Sequence, residues 1–269
     1  MTLEWAKPAA AGFLLIAARQ WSYLAWCAAL FVCVAGSFAA AVALAGGINA
    51  PGVSSPAGAR NILLMAAVCA AVLGAPIVCA IYRAVLRPEE SRFAYVRLGA
   101  TELRMIAVLA PFAAAMALVA ELAAAAAHWR LAVIFATLLA ATPLTLAGPA
   151  VFSRGLRGLG DALTLGRRYY WELAGVNVLT WLLLLIMIFT IQIGWKLFAG
   201  SSESDLVNML TGHPDPVFQG QMVLASCLAW LLYSAAVVVA LAPAADAYRR
   251  LAGPGAPEPD AMLGSEAQA

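Results

Sequence analysis

Long apolar runs alternate with short polar segments along the whole chain. The hydrocarbon core of a bilayer is about 30 Å thick, so a helix rising about 1.5 Å per residue needs roughly 20 apolar residues to cross it. Lipid offers the backbone no hydrogen-bond partners, and the runs lack the alternation of barrel strands. The pattern therefore predicts an all-α integral membrane protein. Its six transmembrane helices are predicted at residues 22–45, 62–82, 105–127, 131–152, 173–198 and 221–241.

The basic residues predict the orientation of these helices. Of the 16 Lys and Arg residues, only Arg60, Arg130 and Lys196 lie on one side of the predicted membrane. Cytoplasmic loops carry an excess of Lys and Arg, so both termini are expected in the cytoplasm and the chain in a bacterial inner membrane. Residues 1–252 then form a single membrane domain that begins with an interfacial helix. Residues 253–269, rich in Pro, Gly and acids, predict a disordered cytoplasmic tail.

A repeated unit is visible on the cytoplasmic side. Shifting residues 13–21 by 149 positions aligns Arg19 with Arg168 and Trp21 with Tyr170, ahead of the first and fifth spans. Residues 93–104 lead similarly into the third span. The even-numbered spans end alike, with a proline followed by an aromatic residue and an arginine. The sequence is thus consistent with three units of a short amphipathic interfacial helix plus two spans, although interface composition alone favours the same residues.

Composition supports a membrane protein and excludes several other classes. Hydrophobic residues make up 64% of the chain and charged residues 11%, with a mean hydropathy of +0.88, which leaves no room for a sizeable soluble catalytic or nucleic-acid-binding domain. The start lacks the basic region of a signal peptide, so the first span is expected to remain as an anchor. No metal-ligand spacing and no catalytic motif is present. We therefore expect no metal, no cofactor and no enzymatic activity.

The densest group of charges lies between the second and third spans, from Arg87 to Arg104. It has two interpretations: a docking surface for lipid headgroups or a partner, or a positive loop whose acids and arginines pair with one another. A second basic segment ends at Trp171. The residues predicted to contact anionic lipid or a membrane-protein partner are Arg83, Arg87, Arg92, Arg97, Arg104, Arg167, Arg168 and Trp171.

A second polar group is predicted near the external ends of the third and fifth spans. Glu121 lies about six residues inside the membrane, and His128 follows seven positions later on the same helix face. Gln192 and Lys196 are four residues apart and share a face of the fifth span. These four residues form either the mouth of a proton or solute path or an interhelical polar clamp. A depth of six residues, about 9 Å, favours the clamp.

Two stretches resemble known membrane proteins. Residues 82–90 (YRAVLRPEE), with 93–99 (FAYVRLG) and 102–104 (ELR), resemble a family of uncharacterised polytopic inner-membrane proteins of alphaproteobacteria. Residues 161–173, DALTLGRR ending in YWEL, are similar to a helix-entry element of the membrane domain that accompanies some glycerophosphodiester phosphodiesterases. The resemblance covers most of the chain in outline. It implies a fold but no catalytic residues, because the soluble barrel of those enzymes is absent from this sequence.

Two functions from different classes fit these features. The first is a non-catalytic scaffold or accessory protein that contacts anionic lipid and a membrane partner. The second is a small-solute or proton-coupled transporter or channel with a path between the third and fifth spans. Transport demands a polar trail to mid-membrane, whereas Glu121 and Gln192 lie near one face and Asn177 near the other. The sequence therefore favours the scaffold.

Overall fold

The structure is a computed structural model that describes residues 6–44, 56–90, 92–125, 128–198 and 216–252. The described residues form helices joined by short connections, and no strand occurs among them. The helices are α1 (Ala6–Ala9), α2 (Ala11–Ala18), α3 (Gln20–Leu44), α4 (Pro56–Leu86), α5 (Ala100–Ala125), α6 (Arg130–Ala141), α7 (Ala147–Arg154), α8 (Gly158–Arg168), α9 (Tyr170–Phe198) and α10 (Pro216–Ala252).

The long helices confirm an all-helical chain of membrane-length apolar segments. Within the described residues, five stretches are long and apolar enough to cross a bilayer: Gln20–Ala43, Met65–Leu86, Phe135–Arg168, Tyr170–Ile193 and Ser226–Ala252. The third predicted span, residues 105–127, falls mainly on α5, and its crossing of the membrane stays a prediction. The predicted tail, residues 253–269, lies outside the described residues.

The fourth predicted span is broken near its middle. Helix α6 ends at Ala141, a 3₁₀ turn covers Thr142–Leu144, and α7 begins at Ala147. Proline at position 143 cannot donate to the Leu139 carbonyl, and its ring disfavours a continuous helix. The Tyr170 hydroxyl of α9 donates to that carbonyl at 3.1 Å. The break is thus stabilised by a donor from another helix, whereas the other prolines within long helices, Pro76, Pro111 and Pro243, interrupt nothing.

The packing follows the order of the three expected units. Helices α4, α7 and α10, which end the three units, contact one another, while α3, α5 and α9 pack outside them. Helix α2 of the first unit packs on α10 of the third. The 3₁₀ turn Arg92–Tyr95 of the second unit packs on α3 and α4 of the first, and α8 packs on α7 and on the Thr142–Leu144 turn. Each short element therefore contacts a neighbouring unit in cyclic order.

The short elements differ from the expected uniform set of amphipathic helices. Helix α8 exposes Asp161 and Arg167 and buries Ala162, whereas α2 exposes Phe13 and Leu14 and has no charged face. The third element is only a 3₁₀ turn. Different surroundings explain this: α2 and α8 cross neighbouring helices, but residues 92–95 lie in a loop that is anchored by side chains.

The helix boundaries give a second way to align the expected repeat. A single non-helical residue separates α2 from α3 and α8 from α9, and these residues are Arg19 and Tyr169. Aligned on these boundaries, Arg19 matches Tyr169 and Trp21 matches Trp171, one position from the sequence alignment. Close crossings accompany both elements. A Cβ on Gly12 would lie 2.5 Å from Val239 Cα of α10, and one on Gly166 would overlap the backbone of Pro143.

The buried core lies toward one end of the bundle. We call this the basic end, where α4, α7 and α10 finish and α3, α5 and α9 begin; the opposite one is the far end. In α4, residues 79–85 are all buried, and so are residues 242–248 of α10. In α9, by contrast, none of the described side chains beyond Leu184 is buried. The basic end is thus tightly packed.

Candidate functional site

A buried ion pair joins α4 to α5 at the basic end. Arg83 in the last turn of α4 donates from Nη2 to Oε1 of Glu102, in the first turn of α5, at 2.9 Å. The two residues are only 6% and 5% exposed. Buried charges are tolerated when they are paired and hydrogen-bonded, and removing one partner leaves the other uncompensated. The pair therefore fixes the relative position of the two helices.

The loop of residues 87–99, between these helices, is held by donors from the core. Arg83 Nη1 donates to the Tyr95 carbonyl, and the Trp26 indole nitrogen donates to the Ala94 carbonyl at 2.8 Å. Tyr95 is fully buried and donates through its hydroxyl to the Pro88 carbonyl at 3.1 Å. Ala94 and Tyr95 have φ angles of 53° and 67°, a left-handed conformation that side chains disfavour. The donors stabilise this strained turn.

One glutamate of the 87–99 loop pairs with three arginines. Glu90 lies 3.0 Å from Arg97 Nη1, 3.2 Å from Arg87 Nη1 and 3.6 Å from Arg83 Nε. The predicted pairing of acids with arginines in this segment is therefore present. It does not exclude a docking role, because Arg97 remains 47% exposed at its side chain.

The residues predicted to contact lipid or a partner are unequally placed. Arg83 is buried and its guanidinium is engaged within the protein, also lying 5.4 Å from the centre of the Phe152 ring. Arg87 is half-buried, and the side chain of Arg92 lies outside the described ones. The remaining members of the predicted set are exposed at the basic end: Arg97, Arg104, Arg167, Arg168 and Trp171.

Two features of the basic end were not predicted from the sequence. Asp246 of α10 is buried and binds Arg249 and Arg250, the latter at 2.6 Å, while Arg249 reaches the Val85 carbonyl of α4 at 3.1 Å. The sequence signal that could have predicted these ion pairs is the spacing of three and four residues between the acid and the arginines. The second feature is Trp21, which is 85% exposed and, like Trp171, is the second residue of a long helix.

These contacts change the charge that the basic end presents. Glu102 and Asp246 are buried against arginines, and Glu90 is surrounded by them. Asp161, although exposed, is paired with Arg154 at 2.7 Å. Glu89 and Asp161 remain exposed beside the exposed arginines, so the basic end presents both charges, with arginines in the majority.

The predicted polar clamp lies mostly beyond what the structure describes. The side chains of Glu121 and Lys196 are outside the described ones, so their pairing stays a prediction. Gln192 and His128 are exposed. Asn177, near the opposite face, donates to the Thr145 hydroxyl at 2.8 Å and lies 3.4 Å from that of Thr142. This amide therefore has partners beside the break at Pro143.

The described residues contain no cluster of three or more His, Cys, Asp or Glu that could hold a metal ion. Comparisons with known protein families, curated proteins and solved structures found no match to this chain. What the protein does is therefore inferred from its own residues, above all from the charges and aromatic rings of the basic end.

Proposed function

We propose that this chain is a non-catalytic multi-pass protein of a bacterial inner membrane, a scaffold or accessory component whose basic end binds anionic lipid and receives a membrane partner. It crosses the bilayer six times, with both termini in the cytoplasm. The 26-residue helix α5 supplies the third crossing. An even number of crossings agrees with the segregation of Lys and Arg to one side.

The observation that carries the proposal is the matched pair of exposed tryptophans. Trp21 and Trp171 are the second residues of α3 and α9, and they are 85% and 79% exposed. Exposed arginines stand next to both helix starts. Indole rings favour the headgroup region, and guanidinium groups bind phosphates through several directed hydrogen bonds. Together they favour a headgroup contact at the starts of α3 and α9.

The exposed apolar surface supports the same placement of the protein in the bilayer. Large apolar residues along the long helices are exposed, among them Phe31, Phe38, Ile186 and Phe189. Continuous exposed apolar surface on this scale is typical of contact with acyl chains. With these residues in the hydrocarbon, the tryptophans at the helix starts fall in the headgroups on the basic side.

A transporter is the second candidate, and the break at Pro143 favours it. Interrupted helices in transporters often expose backbone groups that coordinate a substrate. Here the Leu139 carbonyl accepts from the Thr142 amide and the Tyr170 hydroxyl, and the Leu138 carbonyl accepts from the Thr142 hydroxyl at 3.1 Å. The acceptors beside the break are thus occupied by the protein itself, which is the arrangement of a structural break.

The lipid contact is tested by exchanging the arginines of α8. The purified protein is placed in detergent micelles that contain phosphatidylglycerol and phosphatidylethanolamine. The lipids it retains are counted by native mass spectrometry. Changing both Arg167 and Arg168 to Gln should lower retained phosphatidylglycerol, whereas changing both to Lys keeps the charge and should lower it less. Each basic residue near an anionic surface contributes roughly 1 kcal/mol. Equal retention by the wild type and the Gln variant would refute the proposed contact.

The orientation is tested by labelling single cysteines in a cysteine-free background with an impermeant maleimide. Ser55→Cys and Ser202→Cys should react from outside intact cells. Ser91→Cys and Ala261→Cys should react only after the cells are opened. Labelling of position 91 from outside would overturn the cytoplasmic placement of the basic end.

A further inference from the structure

Glu90 sits where a bound oxyanion would sit. Its Oε2 is 3.0 Å from Arg97 Nη1 and 3.6 Å from Arg83 Nε, while Oε1 is 3.2 Å from Arg87 Nη1. Guanidinium groups converging on two oxygens of one anion form the arrangement that binds carboxylate and phosphate alike. A lipid phosphodiester offers two free oxygens and one negative charge to the same donors, as a carboxylate does, while inorganic phosphate offers a further oxygen and up to one more charge.

The charges around Glu90 are unbalanced. Glu102 pairs with Arg83 at 2.9 Å, which leaves Glu90 to offset both Arg87 and Arg97. A fourth arginine, Arg19, is exposed and lies 3.4 Å from the Pro88 carbonyl of the same loop. Since one carboxylate faces an excess of positive charge, a further anion is attracted to this position, and inorganic phosphate, with its higher charge, is attracted more strongly.

The access to this position is one-sided. Arg83 closes the inner side, because its side chain is only 7% exposed. On the outer side Glu90 is 25% and Arg97 is 47% exposed. Glu90 belongs to the turn that follows α4, with its amide donating to the Arg87 carbonyl at 3.1 Å, and no helix constrains it. The carboxylate can therefore rotate outward while Arg83, Arg87 and the core stay in place.

We propose that Arg83, Arg87 and Arg97 form a phosphate-binding site that Glu90 occupies as an internal stand-in, and that a phosphate group entering the site displaces it. This inference rests on the proposed function for its favoured source, the headgroup phosphate of an anionic lipid. Inorganic phosphate has the same chemistry and is the other source. The Glu90 carboxylate and the incoming phosphate compete for one set of donors. Glu90 therefore sets the phosphate concentration that is needed to fill the site.

The test compares two adjacent glutamates. Glu90→Gln removes the competing charge, and Glu89→Gln removes an equal charge from an exposed residue outside this network. Each full-length variant is placed in phosphatidylcholine nanodiscs and titrated with phosphatidylglycerol, with bound lipid counted by native mass spectrometry. We expect Glu90→Gln to bind about fivefold more tightly than the wild type, the gain typical of one charge at such a surface. Glu89→Gln should change little.

Two further variants define the site. Adding Arg97→Gln to Glu90→Gln should abolish the gain, because it removes the most exposed donor. Glu90→Asp keeps the charge but shortens the side chain, so it should give a smaller gain even where Glu90→Gln folds poorly. Equal gains in the Glu89 and Glu90 variants, or a gain that survives the loss of Arg97, would overturn the proposal.

A parallel titration with inorganic phosphate distinguishes the sources. A gain for phosphatidylglycerol assigns the site to lipid, and a gain for inorganic phosphate alone assigns it to a soluble phosphate; both support the site. If the wild type prefers phosphatidylglycerol while Glu90→Gln adds nothing for either anion, this inference fails and the proposed function stands. If the wild type shows no preference but Glu90→Gln gains for inorganic phosphate, the site stands and the lipid function fails.

Discussion

The two ends of the bundle are packed to different degrees. At the basic end, buried side chains donate to the backbone of a neighbouring helix or loop: Trp26 to Ala94, Arg83 to Tyr95 and Arg249 to Val85. Beyond it, where Phe31 packs edge-to-face on Trp230 at 5.4 Å, such donors also occur, since the Trp230 indole donates to the Cys27 carbonyl at 3.0 Å, but fewer described side chains are buried. Helix α9 makes little buried contact there.

This difference shows which part of the molecule sets its shape. Lipid solvates apolar side chains as well as protein does, so helices gain little from apolar contact alone inside the bilayer. Directed hydrogen bonds and close backbone crossings are specific in a way that apolar contact is not. The basic end therefore determines how the helices are arranged, and the far half follows from it.

The largest effect is expected from the buried ion pair. Arg83→Met leaves Glu102 charged and unpartnered, which should destabilise the protein by about 3–5 kcal/mol. The control Arg97→Met removes a side chain that is half exposed and should cost less than about 1 kcal/mol. Denaturant unfolding in detergent, followed by tryptophan fluorescence, measures both. Similar losses in the two variants would mean that the basic end does not hold the bundle together.

A smaller effect is expected at the crossing of α8 over the Thr142–Leu144 turn. Gly166→Ala places a methyl group against the Pro143 backbone and should cost about 1–3 kcal/mol. Gly160→Ala on the same helix meets nothing within 4 Å, so it should stabilise by roughly 0.5–1 kcal/mol through helix propensity. The midpoint temperatures of thermal unfolding of the two variants and the wild type measure both changes in stability. A stable Gly166→Ala protein would show that this crossing is loose.

The smallest effect is expected at the external end of the third span. If Glu121 forms a polar clamp, Glu121→Gln keeps a hydrogen-bonding group and should cost about 0.6 kcal/mol, a typical value for interhelical bonds in membranes. A transport path predicts instead that proton or solute flux in proteoliposomes vanishes while stability is unchanged, since an amide cannot carry a proton. Flux that is present in the wild type and lost in this variant would refute the scaffold function and support a transporter.

The helical class could be predicted because it depends on the length of apolar runs, which a sequence contains directly. The break at Pro143 could not be separated from the uninterrupted helices around Pro76 and Pro243, because one of its hydrogen-bond partners, Tyr170, lies on another helix. Pairing of the charges in the 87–99 loop was one of the two interpretations that the sequence allowed for this segment, and the structure contains it. That Arg83 is the buried member depends on how α4 meets α5, which is a tertiary property.

The cyclic packing of the short elements has a consequence for biosynthesis. Helix α2 leaves the ribosome before α10, with the long helices α3, α4, α5 and α9 synthesised between them, yet its Gly12 docks against Val239 of α10. Contacts between such distant parts of a chain form late, because a long loop must close first. Helix α2 therefore waits at the membrane for α10. Insertion can proceed helix by helix, but this contact forms only once α10 has been made.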